Sequence, residues 1–386
     1  MDWKTYGVVT TAVICVGLAL GITLPLVSLR LDEWGYDAFA IGIMAGLPAV
    51  GMLIGAKMTA RLAGWLGTEN AMRLVMLCSA VSVGLLAVSP SYALWLAFRL
   101  VLGVSLTVTF VLGESWINQL IEDRLRGRLV AVYGSAFALS QLCGPLLLGV
   151  IGTDSDIGFW LSSSLLMLGL ALLLQATGAP VVDAASTSGR ALMGFVRKLP
   201  AVAWAVMLFA AFEAMTLTLL PVYLIREGFD AQRALFMVGA VVIGDAALQV
   251  PIGWLADKLS RTTLYKACGL VLLASSLALP VLLQSVLIWP VLVVFGASAG
   301  GLYTLSLILI GQRYRDDALV RANAHIAMLW GIGSLLGPLS TGAASQWLSS
   351  HALPLLMAMA ALIFIVLAWQ RGAFSDVAVV EPTAQA

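Results

Sequence analysis

Glu213 and Asp245 stand where acids are least tolerated, each about thirteen residues inside a long apolar run. If those runs cross a bilayer as helices, both carboxylates lie about 20 Å deep, near the middle of a ~30 Å hydrocarbon core. Burial there favours the neutral form of a carboxyl group, which can then exchange protons as its surroundings change. The competing reading is a structural acid that never titrates, hydrogen-bonded or paired with Arg99. Arg99 is itself inside an apolar run, about 10 Å from its outer end, and either faces the interior as a coupling group or snorkels to the interface. Proton or substrate coupling by Glu213 or Asp245 is the expectation.

Polar and aromatic neighbours share helical faces with these acids. Asp245 and Gln249 are four apart, Glu213 and Thr216 three apart, and Tyr133, Phe137 and Gln141 run along one face. Such faces could line a cavity in which aromatics stack on a flat solute and amides bond its edge; a packed or lipid-facing Tyr-Phe stripe is the plainer alternative. His325 and Met328 make a poor metal site, and Cys15, Cys78, Cys143 and Cys268 sit singly in apolar runs, so no metal or cofactor is expected. No nucleophile-base set, metal cluster or phosphate loop is recognisable, which argues against an enzyme.

The elements that must position these residues follow from composition. Hydrophobic residues make up 61% of the 386 and charged residues 11%, with mean hydropathy +1.00; a soluble domain carries roughly 25% charged residues. The chain reads as all-α, a polytopic membrane protein with twelve spans near 6–29, 39–60, 71–89, 92–118, 128–151, 158–177, 200–225, 232–255, 264–283, 287–311, 320–345 and 352–370. The first run is too long for a signal peptide and lacks its cleavage site, so it reads as the first span. A polar break, with Asp183, Ser186, Thr187, Ser188, Arg190, Arg197 and Lys198, divides residues 1–178 from 200–370 through a linker at 179–199; residues 371–386 form a tail. Seventeen Lys and Arg fall in the terminal-side loops and three, Arg30, Arg226 and Arg233, opposite, so both termini are expected in the cytoplasm. The net charge of +1, spread between apolar runs, gives no sign of nucleic acid.

The two halves repeat. Adding 193 carries Gly35-Tyr36-Asp37 onto Gly228-Phe229-Asp230, Gly46 onto Gly239, Gly103 onto Gly296, Asp123 onto Asp316, Arg128 onto Arg321 and Gly144-Pro145 onto Gly337-Pro338. Polar loop residues aligned in order point to duplication, an arrangement common in secondary transporters. Each Gly-Pro step removes a backbone hydrogen bond and admits a close neighbour, giving a bent helix in a tight pair.

Gly253-Trp254-Leu255-Ala256-Asp257-Lys258-Leu259-Ser260-Arg261 resembles the signature loop of the major facilitator superfamily, as do Arg99 followed by Gly103 and the Gly-Pro steps the signatures of its fourth and fifth spans. The resemblance implies two pseudo-symmetric six-helix bundles and a gate in which Gly253 admits a neighbouring helix while Asp257, Lys258 and Arg261 hold the cytoplasmic side closed. The first-half copy, Gly55 to Arg61, has Thr59 where the acid belongs. Arg99 is associated with proton coupling in such relatives. Glu114, near the inner end of its span, is expected to pair with Arg124, Arg126 or Arg128, with an inner-gate role.

Gln249 to Lys258, Glu114-Ser115, Arg126 to Leu129 and Ser334 to Pro338 resemble more narrowly the bacterial YcaD-type transporters, related to copper and riboflavin importers. This implies a monomeric, proton-coupled, alternating-access carrier of a small molecule in the bacterial inner membrane. Uptake of a riboflavin-like heterocycle is the leading cargo reading, and efflux of amphipathic or cationic compounds the alternative. Copper is remote: the copper members' Met-x-x-x-Met and His-x-x-x-Met are replaced by Met207 and Met215 at the wrong spacing and by Asp245 and Gln249.

Overall fold

The computed structural model describes residues 2–121, 125–179, 189–314 and 316–370. Among them are thirteen α-helices and no strand: α1 Trp3–Glu33, α2 Ala38–Leu66, α3 Thr68–Val88, α4 Tyr92–Leu120, α5 Arg126–Ile151, α6 Ile157–Leu173, α7 Gly189–Lys198, α8 Pro200–Arg226, α9 Ala231–Lys258, α10 Arg261–Leu282, α11 Ile288–Arg313, α12 Asp316–Trp347 and α13 Ala352–Trp369. Eleven are long and apolar enough to cross a membrane. The shorter α6, 17 residues, is apolar apart from Ser162, Ser163 and Ser164 and fills the remaining place of the twelve expected.

The thirteenth helix, α7, lies within the stretch read as the linker at 179–199: Leu192, Phe195, Val196 and Leu199 recur at helical spacing, and Phe195 and Leu199 are buried. The Phe195 ring stacks on His325 of α12 at 5.2 Å between centroids. The polar run at residues 180–188 lies outside the described residues.

The repeat has a physical basis at both scales of the fold. Gly35 and Gly228 adopt φ of 79° and 96°, a left-handed conformation that glycine tolerates without strain. Two residues on, Asp37 and Asp230 each cap a helix, accepting the amides of Ala40 and Arg233 at 2.8 Å. Packing repeats as well: α1 lies against α5 and α6, α3 against α4 and α6, and α2 against α4, while α8 lies against α12 and α13, α10 against α11 and α13, and α9 against α11. In the first half Gly51 abuts Leu100 O and Gly103 abuts Pro48 O; in the second Gly244 abuts Val293 O and Gly296 abuts Val241 O, each contact displaced by 193. No side chain fits at these crossings, so backbone meets backbone.

The halves join along α2 with α12 and α5 with α9, and where α1 meets α8. Because helices alternate in direction, the ends where α1 starts and α13 stops share one face, called terminal here, and the opposite face is distal. Cross-half contacts gather distally. Arg226 donates through Nε and Nη2 to Asp32 Oδ1 at 2.9 and 2.7 Å, and Phe39 packs on Trp347. Gly42 abuts Pro338 O and Gly342 abuts Ala38 O, whereas the α5/α9 seam is filled by Leu146 against Gly239 and by Gln232 Nε2 donating to Gly149 O at 3.1 Å.

Candidate functional site

Glu213 is the middle residue of the 27-residue α8, and Asp245 lies at the middle of the 28-residue α9. Both line a cavity of about 210 Å³ closed in by α5, α8 and α9, together with Gln141, Phe212, Thr216, Gln249 and Ser135. Gln249 Nε2 donates to Asp245 Oδ1 at 3.0 Å, joining the two i,i+4 residues. The same carboxylate oxygen lies against Gly300 of α11, in space that a Cβ there would occupy. No Lys, Arg or His is among the described lining residues, and neither carboxylate has an ion pair among the described residues. Two acids, two amides and two hydroxyls around one small space can bind a polar or positively charged solute and hold protons.

Five residues expected around the solute or the proton thus line one cavity: Glu213, Asp245, Gln141, Thr216 and Gln249. Tyr133 and Phe137 do not join them. Phe137 packs edge-on against Phe110 at 4.8 Å, and Tyr133 is buried with its hydroxyl over Gly113, because α5 turns these residues toward α4 rather than toward α8 and α9. Arg99 is also elsewhere. It is 1% exposed, so it does not snorkel, and its Nε and Nη2 have no hydrogen-bond partner, so it does not pair with either acid.

The sequence reading passed over Phe212, which lines the cavity, and the cluster behind it. Phe212 packs on Phe295 at 5.0 Å, and Phe209 stacks on Tyr303 at 4.8 Å, with Trp330 edge-on to both. It also passed over Gly300. The small-residue run Gly296-Ala297-Ser298-Ala299-Gly300-Gly301 was the available signal, since such runs mark where a membrane helix accepts a close neighbour.

A helical bundle of this pairing with a midplane cavity has a counterpart among known families: the model of the Major Facilitator Superfamily matches residues 9–317 and 234–375. The chain belongs to the Major Facilitator Superfamily. It is 25% identical over 351 residues to the uncharacterized MFS-type transporter YcaD of Escherichia fergusonii, covering 91% of each chain, and 25% identical over 352 residues to YcaD of Escherichia coli O139:H28, again covering 91% of each. Its fold is similar to that of a D-xylose-proton symporter (TM-score 0.76, 15% identity, covering 95% of this chain and 97% of that one). It is likewise similar to the nucleoside transporter NupG (TM-score 0.74, 14% identity, covering 97% and 99%). Superfamily members are transporters, so the chain is a transporter and not an enzyme. Proton coupling and alternating access are typical of the fold.

The expected gate residues are described only in part. Among the described residues nothing lies within 4 Å of where a Cβ on Gly253 would stand, and the close crossing of α9 is made at Gly244. Lys258 Nζ lies 3.7 Å from the centroid of the Trp254 ring, and Arg261 Nε donates to Ala256 O at 3.2 Å. The side chains of Asp257, Arg126 and Arg128, and all of Arg124, lie outside the described residues, and with them the expected partners of Glu114. Thr59, in the acid's place in the first half, is buried and donates to its own helix at Gly55 O. α5 and α12 continue through Pro145 and Pro338; beside them Gly144 abuts Gly21 and Gly337 abuts Ala211.

Proposed function

We propose that this chain is a proton-coupled, alternating-access carrier of a small organic solute, with Glu213 and Asp245 as the coupling groups. Residues 1–178 and 200–370 rock as two bundles about the cavity, linked through 179–199. The protein acts as a monomer in a bacterial inner membrane, with both termini and the 371–386 tail in the cytoplasm. The observation that carries this reading is the pair of mid-helix carboxylates on α8 and α9 facing one cavity without a basic partner among the described residues. A carboxylate so placed is stabilised by a proton or by a positively charged solute, which makes occupancy and ionisation interdependent. The test is proton and solute flux in proteoliposomes: Glu213→Gln and Asp245→Asn are each expected to reduce coupled transport at least tenfold and flatten its pH profile. Full rate and unchanged pH dependence in both variants would end the proposal.

Three cargo readings differ in support. Uptake of a riboflavin-like heterocycle rests on the resemblance to the YcaD-type group, and the Tyr133 and Phe137 rings that could have stacked on a flat solute lie away from the cavity. Copper finds no Cys, Met or His among the lining residues. Efflux of cationic or amphipathic compounds draws on the acidic lining, and is favoured here. Growth of a riboflavin auxotroph expressing the gene, beside survival on a panel of toxic cations, separates the first from the third.

A further inference from the structure

The surface of α7 changes character in steps around its axis. Phe195 and Leu199 are buried, the ring of Phe195 lying between His325 of α12 and, at 6.4 Å between centroids, Tyr314 at the end of α11. At about 100° per residue, Leu192 and Val196 follow and are half-buried, then Met193, 53% exposed, and then Arg197, exposed. Apolar surface thus runs on past the part that the protein covers and ends at a positive charge. The helix holds Arg190, Arg197 and Lys198 and no acid. Its height follows from its neighbours, since it leads through Leu199 into the start of α8 and packs on α8 and α12. On the same terminal side, exposed Trp254 has Lys258 Nζ 3.7 Å from its ring, and exposed Trp369 has Lys266 Nζ at 4.8 Å. Exposed tryptophan beside lysine marks the level at which hydrocarbon gives way to headgroups.

We propose that α7 is an interfacial helix that docks anionic phospholipid of the terminal leaflet, with Met193 and Val196 against acyl chains and Arg197 and Lys198 on headgroup phosphates. An amphipathic helix with a basic polar face is held at a membrane surface by its apolar area and by attraction to anionic lipid. Here the protein covers one edge of the apolar stripe and leaves the other to the bilayer. A soluble anion would meet the two cations but would leave Met193 uncovered; a phospholipid satisfies both. The two ends of the linker are then held by different means. At the first-half end, the amides of Gly178 and Ala179 donate to Glu69 Oε1 of α3 at 2.6 and 3.2 Å, a fixed protein contact. At the second-half end, the charge of the leaflet sets how firmly α7 is held.

The test uses the full-length protein with the photoreactive substitution Met193→p-benzoylphenylalanine, in nanodiscs of phosphatidylcholine and phosphatidylglycerol at seven to three, irradiated and weighed by mass spectrometry. The expected adduct is a phospholipid. Phosphatidylglycerol should make up about two in three of the adducts rather than three in ten, the share that a preference of about fivefold gives. Arg197→Gln with Lys198→Gln in the same background should return the share to about three in ten, and Arg197→Gln alone should fall between. Both side chains are exposed, so the variants are expected to melt within a few degrees of the parent. Absence of a lipid adduct overturns the proposal, as does attachment to residues 371–386 or to a second copy of the chain. A phosphatidylglycerol share of three in ten in the parent overturns it too, and so does a share of two in three that survives in the double variant.

Discussion

The carboxylate of Asp245 occupies space that exists only because residue 300 has no side chain. Gly300→Ala would drive the flexible acid aside rather than the backbone, so the protein should fold while the site is rearranged. The expected outcome is coupled transport reduced about tenfold or more with melting temperature changed by only a few degrees, read by flux assay beside thermal unfolding. This is the kind of feature that sequence hides. Glu213 and Asp245 were legible because acids inside apolar runs are rare and helix rise gives their depth. That Tyr133 and Phe137 face α4 was not legible, because a three- to four-residue spacing marks a common face without saying which neighbour that face meets. The same holds for Gly253: a glycine can serve close packing, but only the neighbour's position decides whether it does.

At the scale of helices, the crossings at Gly51 with Gly103 and Gly244 with Gly296 tie sequence duplication to packing. A Cβ at Gly103 would meet the backbone of Pro48, which cannot move aside as a side chain can. Gly103→Ala and Gly296→Ala are expected to destabilise by about 1–3 kcal/mol, whereas Gly134→Ala, with nothing within 4 Å, should be neutral or slightly stabilising. Thermal unfolding of the three variants side by side checks this. The helices themselves were well read from apolar runs, whose ends fall close to the observed ones. α7 was missed because ten residues with three basic side chains resemble a loop by composition; its periodicity shows only once Phe195 has something to pack against. Removing that anchor should release it: Phe195→Ala deletes a buried ring worth about 3 kcal/mol or more, and trypsin is expected to cut at Arg197 or Lys198 several-fold faster.

For the molecule as a whole, the question is what keeps the distal end shut. Arg226 and Asp32 join the two halves there, with the arginine side chain 41% exposed, so the pair is worth at most about 1 kcal/mol after solvent screening. Such an energy corresponds to about a fivefold population shift. Asp32→Asn and Arg226→Gln should each raise distal accessibility to a membrane-impermeant thiol reagent, at a cysteine placed at Ala38, by up to about fivefold. The double variant should add little, and high salt should shrink the difference. The seams to either side of this pair are unequal. Where α2 meets α12, main chains abut at Gly42 and Gly342, leaving those helices free to pivot but with little freedom to part; where α5 meets α9, a leucine and an amide fill the gap and can be withdrawn. On the proposed alternating-access cycle the far end opens like a door hung along the α2/α12 edge, parting first where α5 meets α9.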